Sequence, residues 1–240
     1  MISIVIPYYM NPGMLAHQYS VWASYSEPVK RKVEVVLVDD GSPTETALEV
    51  NRPTGLPPLR IFQVLEDRPW HQHGARNLGA HMAENDWLLM TDMDHVVPED
   101  VLAELLKRAK RGYAYMFPRV DWPDMITTVD QYGQPKPHPN SFALSHATYW
   151  RVGGYDEDYC GIYGTDALFR ERLKSKVQIT LTSKPLIRFS RLVLPDASTR
   201  TLPRKEGREP HQKDLVKQKK KDEGRENEIR TLDFEWVQVH

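Results

Sequence analysis

Two carboxylates one residue apart, Asp92 and Asp94, follow directly on a short apolar run, Trp87-Leu88-Leu89-Met90. Carboxylates this close repel each other unless a cation lies between them, and hard divalent ions such as Mg²⁺ and Mn²⁺ prefer oxygen ligands. A cation held there would in turn hold a diphosphate. The apolar run reads as a strand buried on both faces, and in an open α/β sheet the ligand crevice lies beyond the carboxyl ends of the strands. Period-two spacing places both carboxylates on one side of an extended backbone. The plainer alternative is a solvated turn whose acids cap the next helix.

Other charged residues stand in comparable places. A second apolar run, residues 33–38, ends in Asp39-Asp40-Gly41-Ser42. An acid at a strand end accepts hydrogen bonds from a nucleoside and equally well solvates a turn, so both readings hold for Asp39 and Asp40 taken singly. Arg76 and Asn77 follow Gly74 where a polar loop enters a helix. Glycine permits close backbone approach there, and a helix N-terminus beside an arginine favours an anion; a structural ion pair is the alternative for Arg76. Asp166 follows Gly161 and Gly164 in the first turn of an expected helix. It is placed to meet a second substrate, or else it stabilises the helix start by about 0.3–1 kcal/mol.

The elements that must position these groups are strands at residues 2–6, 33–38, 59–65 and 87–90, with helices after the first three. Each strand ends in a polar or acidic loop, and the first such loop begins with Pro7 and Tyr8. This recurrence predicts the nucleotide-binding half of an α/β domain. A helix is expected over 98–111, a strand over 112–120, and a proline-rich excursion over 121–139. Beyond it come a strand at 140–146, a turn at 147–152, a helix through Leu173, and short strands at 177–181 and 186–189. After Pro195 the composition shifts to Arg200, Arg204, Lys205 and Arg208 and then to a lysine-rich stretch over 213–221, which reads as a solvated helix. Residues 232–239 alternate apolar and polar side chains, the pattern of a half-buried strand returning to dock.

At 240 residues and 40% hydrophobic content the chain can bury one sizeable core, and a net charge of -1 gives no global argument for a nucleic-acid partner. A single cysteine, Cys160, excludes an internal disulfide framework. No apolar run approaches the roughly 20 residues of a membrane-spanning helix, so a soluble, cytoplasmic protein is expected.

Taken in order, these motifs resemble inverting glycosyltransferases of the GT-A fold, especially family 2 and the related β-1,4-galactosyltransferases. Ile4-Val5-Ile6-Pro7-Tyr8 is similar to the family's first strand and nucleotide loop, and Val38-Asp39-Asp40-Gly41-Ser42 to its base- and ribose-contacting turn. Gly74-Ala75-Arg76-Asn77 resembles the helix start lining the donor site, Asp92-Met93-Asp94 the metal and diphosphate motif, and Gly153 to Asp166 the acceptor segment bearing the base. The base position often reads Glu-Asp; here it is Thr165-Asp166. Where galactosyltransferase relatives carry a metal-binding histidine after Ile-Arg, Ile187-Arg188 is followed by Phe189. That leaves His211, His240 and His95 as candidates, with His211 carried as the third metal residue.

The resemblance implies a Rossmann-like GT-A fold with a mixed central sheet over residues 1–195, split into a nucleotide-sugar half (1–97) and an acceptor half (98–195). A charged extension (196–240) would dock back or bind a partner. It implies transfer of a sugar from a nucleotide-diphosphate sugar, a UDP-sugar first, to an acceptor hydroxyl. Asp92 and Asp94 would hold Mn²⁺ or Mg²⁺, Asp166 would act as base, and Pro7, Tyr8, Asp39, Asp40, Arg76, Asn77 and Asp92 would contact the donor. A glycan or small molecule is the expected acceptor. Hydroxylated bases of nucleic acid, reached through the lysine-rich stretch, are a second possibility, and a silent nucleotide-sugar binding module or a nucleotidylyltransferase are others.

Overall fold

The computed structural model describes residues 1–198 and 210–240; Arg200, Arg204, Lys205 and Arg208 lie outside the described residues. In chain order the first half contains β1 (Ile2–Tyr8), α1 (Pro12–Ser24), α2 (Glu27–Lys30), β2 (Val33–Asp39), β3 (Leu59–Val64), α3 (Gln72–Met82) and β4 (Trp87–Met90). The second half adds β5 (His95–Val96), α4 (Glu99–Arg108), β6 (Tyr113–Met116), β7 (Arg119–Asp121), β8 (Ile126–Thr127), β9 (Phe142–Ser145) and α5 (His146–Val152). It closes with α6 (Asp166–Lys174), β10 (Gln178–Leu181), β11 (Leu186–Arg188), α7 (Pro210–Asp222) and β12 (Trp236–Gln238).

β1 is apolar almost throughout because the sheet is covered on both faces. Ile4 and Ile6, with Val35, Leu37, Ile61 and Leu89 of the neighbouring strands, face Leu15, Tyr19 and Trp22 of α1 and Leu102 and Leu105 of α4. The alternate residues Val5, Val36, Val38, Phe62 and Leu88 face Ala75 and Leu78 of α3, Tyr149 of α5 and Phe169 of α6. Period two in the strand thus divides one apolar run between two cores. Each such buried aliphatic side chain contributes about 1.5–3 kcal/mol by its removal from water.

The main sheet runs β10-β6-β9-β4-β1-β2-β3-β12. β1 pairs in parallel with β2 on one side and β4 on the other, so the order reverses at β1 and opens a crevice beyond the ends of β1 and β4. β9 is antiparallel to both β4 and β6, which makes the sheet mixed. α3 packs against β1 closely enough that a Cβ on Gly79 would stand 2.3 Å from Val5 Cγ1, so glycine is required there. A second, four-stranded sheet, β5-β11-β7-β8, stands beside the crevice.

Three local expectations are corrected. The single strand expected over 112–120 divides at Phe117-Pro118 into β6 in the main sheet and β7 in the small one, since Pro118 has no N–H to continue a ladder. The turn expected over 147–152 is α5, opened by a Ser145 hydroxyl that accepts from Thr148 N–H at 3.2 Å and closed by Gly153 at φ +94°. Asp92 and Asp94 are not on one extended strand. The β4 ladder ends at Met90 and the chain turns, with His95 N–H donating to the Asp92 carbonyl at 3.1 Å. The period-two argument therefore does not apply to them, although both line the cavity described below.

The C-terminal segment crosses the molecule. β12 pairs antiparallel with β3 at the sheet edge, and Trp236 packs on Phe62 with ring centres 6.0 Å apart. The Lys220 ammonium of α7 donates to the Asp156 carboxylate at 2.6 Å and lies 3.0 Å from that of Asp158.

Candidate active site

A cavity of about 400 Å³ opens beyond the ends of β1, β2 and β4. Its walls carry Pro7, Tyr8 and Asp40 from the first two strand ends and Asp92 and Asp94 from the turn after β4. Asp166 and Arg170 of α6 also line it.

The two adjacent acids after β2 have different surroundings. Asp39 is buried and both its oxygens are taken by its own loop, accepting from Ser42 N–H at 2.9 Å and Ala47 N–H at 2.8 Å. It shapes the turn and does not line the cavity. Asp40 lines the cavity, with His71 Nδ1 3.3 Å from its Oδ1. Burial pushes its pKa up to about 6, against the opposing pull of His71. The turn between them and the helix-entering loop is tight. Gly41 holds φ +75°, and a Cβ there would meet the Glu66 carbonyl oxygen at 2.4 Å.

α3 brings in Arg76 and Asn77, and neither lines the cavity. The Arg76 side chain is fully buried and its Nη2 donates to Asp92 Oδ1, while Nη1 donates to Gln72 Oε1 at 3.2 Å. Burial works against its charge, but Asp92 and the ring faces and acids around it hold its pKa above the usual arginine value. Arg76 is thus the ion-pair partner that orients Asp92. Asn77 is engaged within the protein. Its amide donates to the Tyr155 carbonyl at 2.8 Å and to Glu157 Oε1 at 2.7 Å, and its carbonyl accepts from Tyr149 Oη at 2.7 Å and Tyr155 N–H at 2.9 Å. Two donors and two lone pairs exhaust what an amide has, so none remains for a ligand.

Asp94 faces the cavity at the same turn, with Oδ1 2.7 Å from His95 Nδ1. Burial alone would raise its pKa; His95, His138 and Arg188 outweigh that and lower it. His138, from the end of the 121–139 excursion, places Nδ1 3.5 Å from Asp92 Oδ2. Burial drives the His138 pKa down to about 4, so its ring is neutral near pH 7. His211 sits on the exposed face of α7 and His240 beyond β12 at the far sheet edge; neither lines the cavity.

Asp166 is the first residue of α6, with Oδ1 3.5 Å from His73 Nε2. Burial would raise its pKa, but His73, Arg76 and the Asn140 amide hold it down at about 2, so it is a carboxylate at any working pH. Arg170 stands one helical turn further and also lines the cavity; the i, i+4 spacing from Asp166 was the signal for it in the sequence. His73 and His138 had no comparable local signal. At the cavity mouth Trp70 and Tyr163 face each other with ring centres 5.7 Å apart.

A crevice where the strand order reverses, lined by Asp40, Asp92, Asp94 and the half-buried Asp166, suits a nucleotide ligand and a second substrate. The family described as "Glycosyl transferase family 2" matches residues 3–164, more than half of the chain. The chain belongs to that family. Its mixed sheet is the GT-A fold of that family.

Among curated relatives, an undecaprenyl-phosphate 4-deoxy-4-formamido-L-arabinose transferase of Edwardsiella ictaluri is 29% identical over 112 residues, 47% of this chain and 34% of that protein. Its counterpart from an Enterobacter species is 30% identical over 133 residues, 55% of this chain and 38% of that protein. The chain thus matches little more than a third of these relatives' length. Among solved structures, S. aureus TarS 1-349 in complex with UDP-GlcNAc superposes with a TM-score of 0.62 at 17% identity, covering 82% of this chain and 61% of that one. The mannosyltransferase PcManGT from Pyrobaculum calidifontis, in complex with GDP-Man and Mn²⁺, gives 0.59 at 19% identity, covering 90% of this chain and 60% of that one. At these identities the two structures establish the fold of this family 2 chain. No helix among the described residues is long and apolar enough to cross a membrane.

Proposed function

We propose that this chain transfers a sugar with inversion from a nucleotide-diphosphate sugar, a UDP-sugar in the first instance, to an acceptor hydroxyl. Asp40, the strand-end acid open to the cavity, accepts hydrogen bonds from the nucleoside, with Pro7 and Tyr8 forming the adjoining wall. Asp92 and Asp94 supply the negative charge that draws a divalent cation, Mn²⁺ or Mg²⁺. The cation's contribution is to offset the charge that grows on the departing diphosphate. Arg170 adds a fixed positive charge on the opposite wall.

The observation that carries the acceptor assignment is Asp166. A single-displacement transfer to a hydroxyl needs a group to take the hydroxyl proton, and a carboxylate held ionised on the wall of the same cavity suits that role. A lipid phosphate, the acceptor class in the curated relatives' names, is already ionised and would be repelled by the same carboxylate. Asp166 therefore favours a neutral hydroxyl. Trp70 and Tyr163, paired at the mouth, offer aromatic faces to a sugar ring. The intact acids of the cavity likewise favour a transferase over a silent binding module, and over a nucleotidylyltransferase. The likeness to β-1,4-galactosyltransferases does not extend to their metal-binding histidine, whose place is taken by Phe189, and the curated relatives are not of that group.

The test is nucleotide release with Mn²⁺ across a panel of UDP- and GDP-sugars, with hydroxyl and polyprenyl-phosphate acceptors in parallel, comparing wild type with Asp94→Ala and Asp166→Asn. Release with a hydroxyl acceptor that collapses in both variants supports the reading. Transfer to the lipid phosphate that survives Asp166→Asn overturns the acceptor assignment.

A further inference from the structure

His73 on α3, Tyr155, Phe169 on α6 and Phe142 on β9 form a column of stacked rings. Ring centres lie 4.9 Å apart from His73 to Tyr155, 4.5 Å from Tyr155 to Phe169 and 5.4 Å from Phe169 to Phe142, with planes within 24° of parallel. His73 is 3% exposed and the other three rings are buried. The column fixes the plane of the imidazole. Asp166 stands three residues before Phe169 on the same helix, so α6 supplies both a ring of the column and a carboxylate for its end, with Oδ1 3.5 Å from His73 Nε2.

The proton of that imidazole has one place to be. Asp166 is ionised and can only accept. The second neighbour of Nε2, Thr165 Oγ1 at 3.5 Å, gives its own proton to the Ile162 carbonyl at 2.9 Å and so faces His73 as an acceptor. Nδ1 is buried and has no hydrogen-bond partner among the described residues. Two acceptors at one ring nitrogen and none at the other put the N–H at Nε2. Without that donor Asp166 has a competing use. It is the first residue of α6, and the Thr165 side chain does not cap that helix, so the unpaired N–H groups of the first turn attract the carboxylate. His73 holds one of its oxygens against that pull.

We propose that His73 is the positioning residue of the base: its Nε2–H holds Asp166 Oδ1 so that the other carboxylate oxygen is presented to the acceptor hydroxyl. The proposal rests on Asp166 being that base. As the hydroxyl oxygen bonds to the anomeric carbon, its proton passes to the oxygen that His73 does not hold, and the bond to the diphosphate breaks with its electron pair on the leaving group. The His73 proton stays on Nε2 throughout. A carboxylate has about four acceptor sites, so the hydrogen bonds from His73 and Asn140 leave room for the hydroxyl.

The contact is tested by long-range ¹H–¹⁵N spectra of the full chain labelled on its histidines, at mildly alkaline pH. His73, identified by its loss in His73→Gln, should carry its proton on Nε2, and that resonance should move in Asp166→Asn. A proton on Nδ1 alone, or a resonance indifferent to Asp166→Asn, overturns the proposal. Kinetics follow on the donor and hydroxyl acceptor that wild type turns over. His73→Phe keeps a ring for the column and removes the donor; kcat should fall by about 10- to 100-fold, up to the cost of a 1 Å misplacement, with the donor KM unchanged. His73→Gln, which returns an N–H, should recover most of that loss. His73→Phe combined with Asp166→Asn should be no slower than Asp166→Asn alone, because groups that act as a unit are not additive. Losses that multiply in the double variant, or wild-type kcat in His73→Phe, overturn the positioning role. If His73→Phe fails to fold, the spectrum decides alone. A kcat that Asp166→Asn leaves unchanged strikes the base reading instead, and no turnover with any donor or acceptor strikes the transferase reading; the spectrum reports the contact in either case.

Discussion

Arg76 and Asp92 form an ion pair in which the arginine side chain is fully buried and the carboxylate is 16% exposed. The buried partner can be reached only from the protein side, so Asp92 presents its second oxygen, Oδ2, towards His138. Removing Arg76 strands a carboxylate that burial and neighbours have arranged around it. Arg76→Met should cost about 3–5 kcal/mol, the range for breaking a buried pair by deleting one partner, and should weaken Mn²⁺-dependent nucleotide binding as well. Chemical denaturation and nucleotide titration check the two effects, and a loss of stability below 1 kcal/mol would show that Asp92 does not depend on it.

Asp166 is held ionised and lines the same cavity as the turn that carries Asp92 and Asp94. Asp166→Asn should lower kcat by about 10²–10⁴, the usual contribution of a positioned base, with UDP affinity nearly unchanged. Steady-state kinetics beside a nucleotide titration separate the two. An equal loss in both would place Asp166 in donor binding.

Asp40 sets a pH dependence. Its pKa is raised from an ordinary 3.8 to about 6, chiefly by burial. Its neutral form is favoured in the folded chain, so its contribution to stability is full below pH 3.8 and is lost as the pH rises through about 6. Nucleoside binding needs the carboxylate and has the opposite sign: affinity for UDP should fall as the pH drops through about 6. Asp40→Asn should weaken binding at pH 7.5 and abolish that inflection. Calorimetric titration between pH 5 and pH 8 provides the readout, and an inflection that persists in the variant would assign it to another group.

Asn77 serves the fold and not the ligand. Asn77→Ala leaves the Tyr155 carbonyl, the Tyr155 N–H and Glu157 short of partners, each loss costing about 1–3 kcal/mol. The expected result is a melting temperature lower by several degrees with the donor KM unchanged in the protein that remains folded. A raised KM at normal stability would return Asn77 to the donor site.

Lys220 is the one lysine of the 213–221 stretch whose side chain is buried, at 4% exposure against 7% for Asp156. Lys220→Ala should destabilise the chain by about 3–5 kcal/mol and raise amide exchange in α7. Lys219→Ala, on an exposed neighbour, should do neither. Hydrogen exchange distinguishes the pair.

The parallel core was legible residue by residue. β1, β2 and β4 announce themselves as β-branched or apolar runs because a strand covered on both faces has no polar side to show, and β2 and β4 each reach an acid at or within two residues of their ends. Asp166 at the head of α6 was legible from glycines followed by a helical pattern. The roles within the crevice were less so. Asp39 and Asp40 are the same residue type in adjacent positions, yet one is bound by its own loop and the other faces the cavity. Asp92 and Asp94 obey a period-two argument only while the chain stays extended, and it turns after Met90.

What the sequence by itself determined is where the acids stand along the chain: at the ends of buried strands and the start of one helix, positions governed by hydrophobic pattern and turn chemistry over a few residues. What each acid touches was decided only by the tertiary structure. Asn77 meets Glu157 across 80 residues of chain and Arg76 meets Asp92 across 16. His138 reaches Asp92 only because the 121–139 excursion doubles back. Hydrogen bonds and ion pairs are short-range in space and indifferent to distance along the chain, so no local periodicity encodes which of them form.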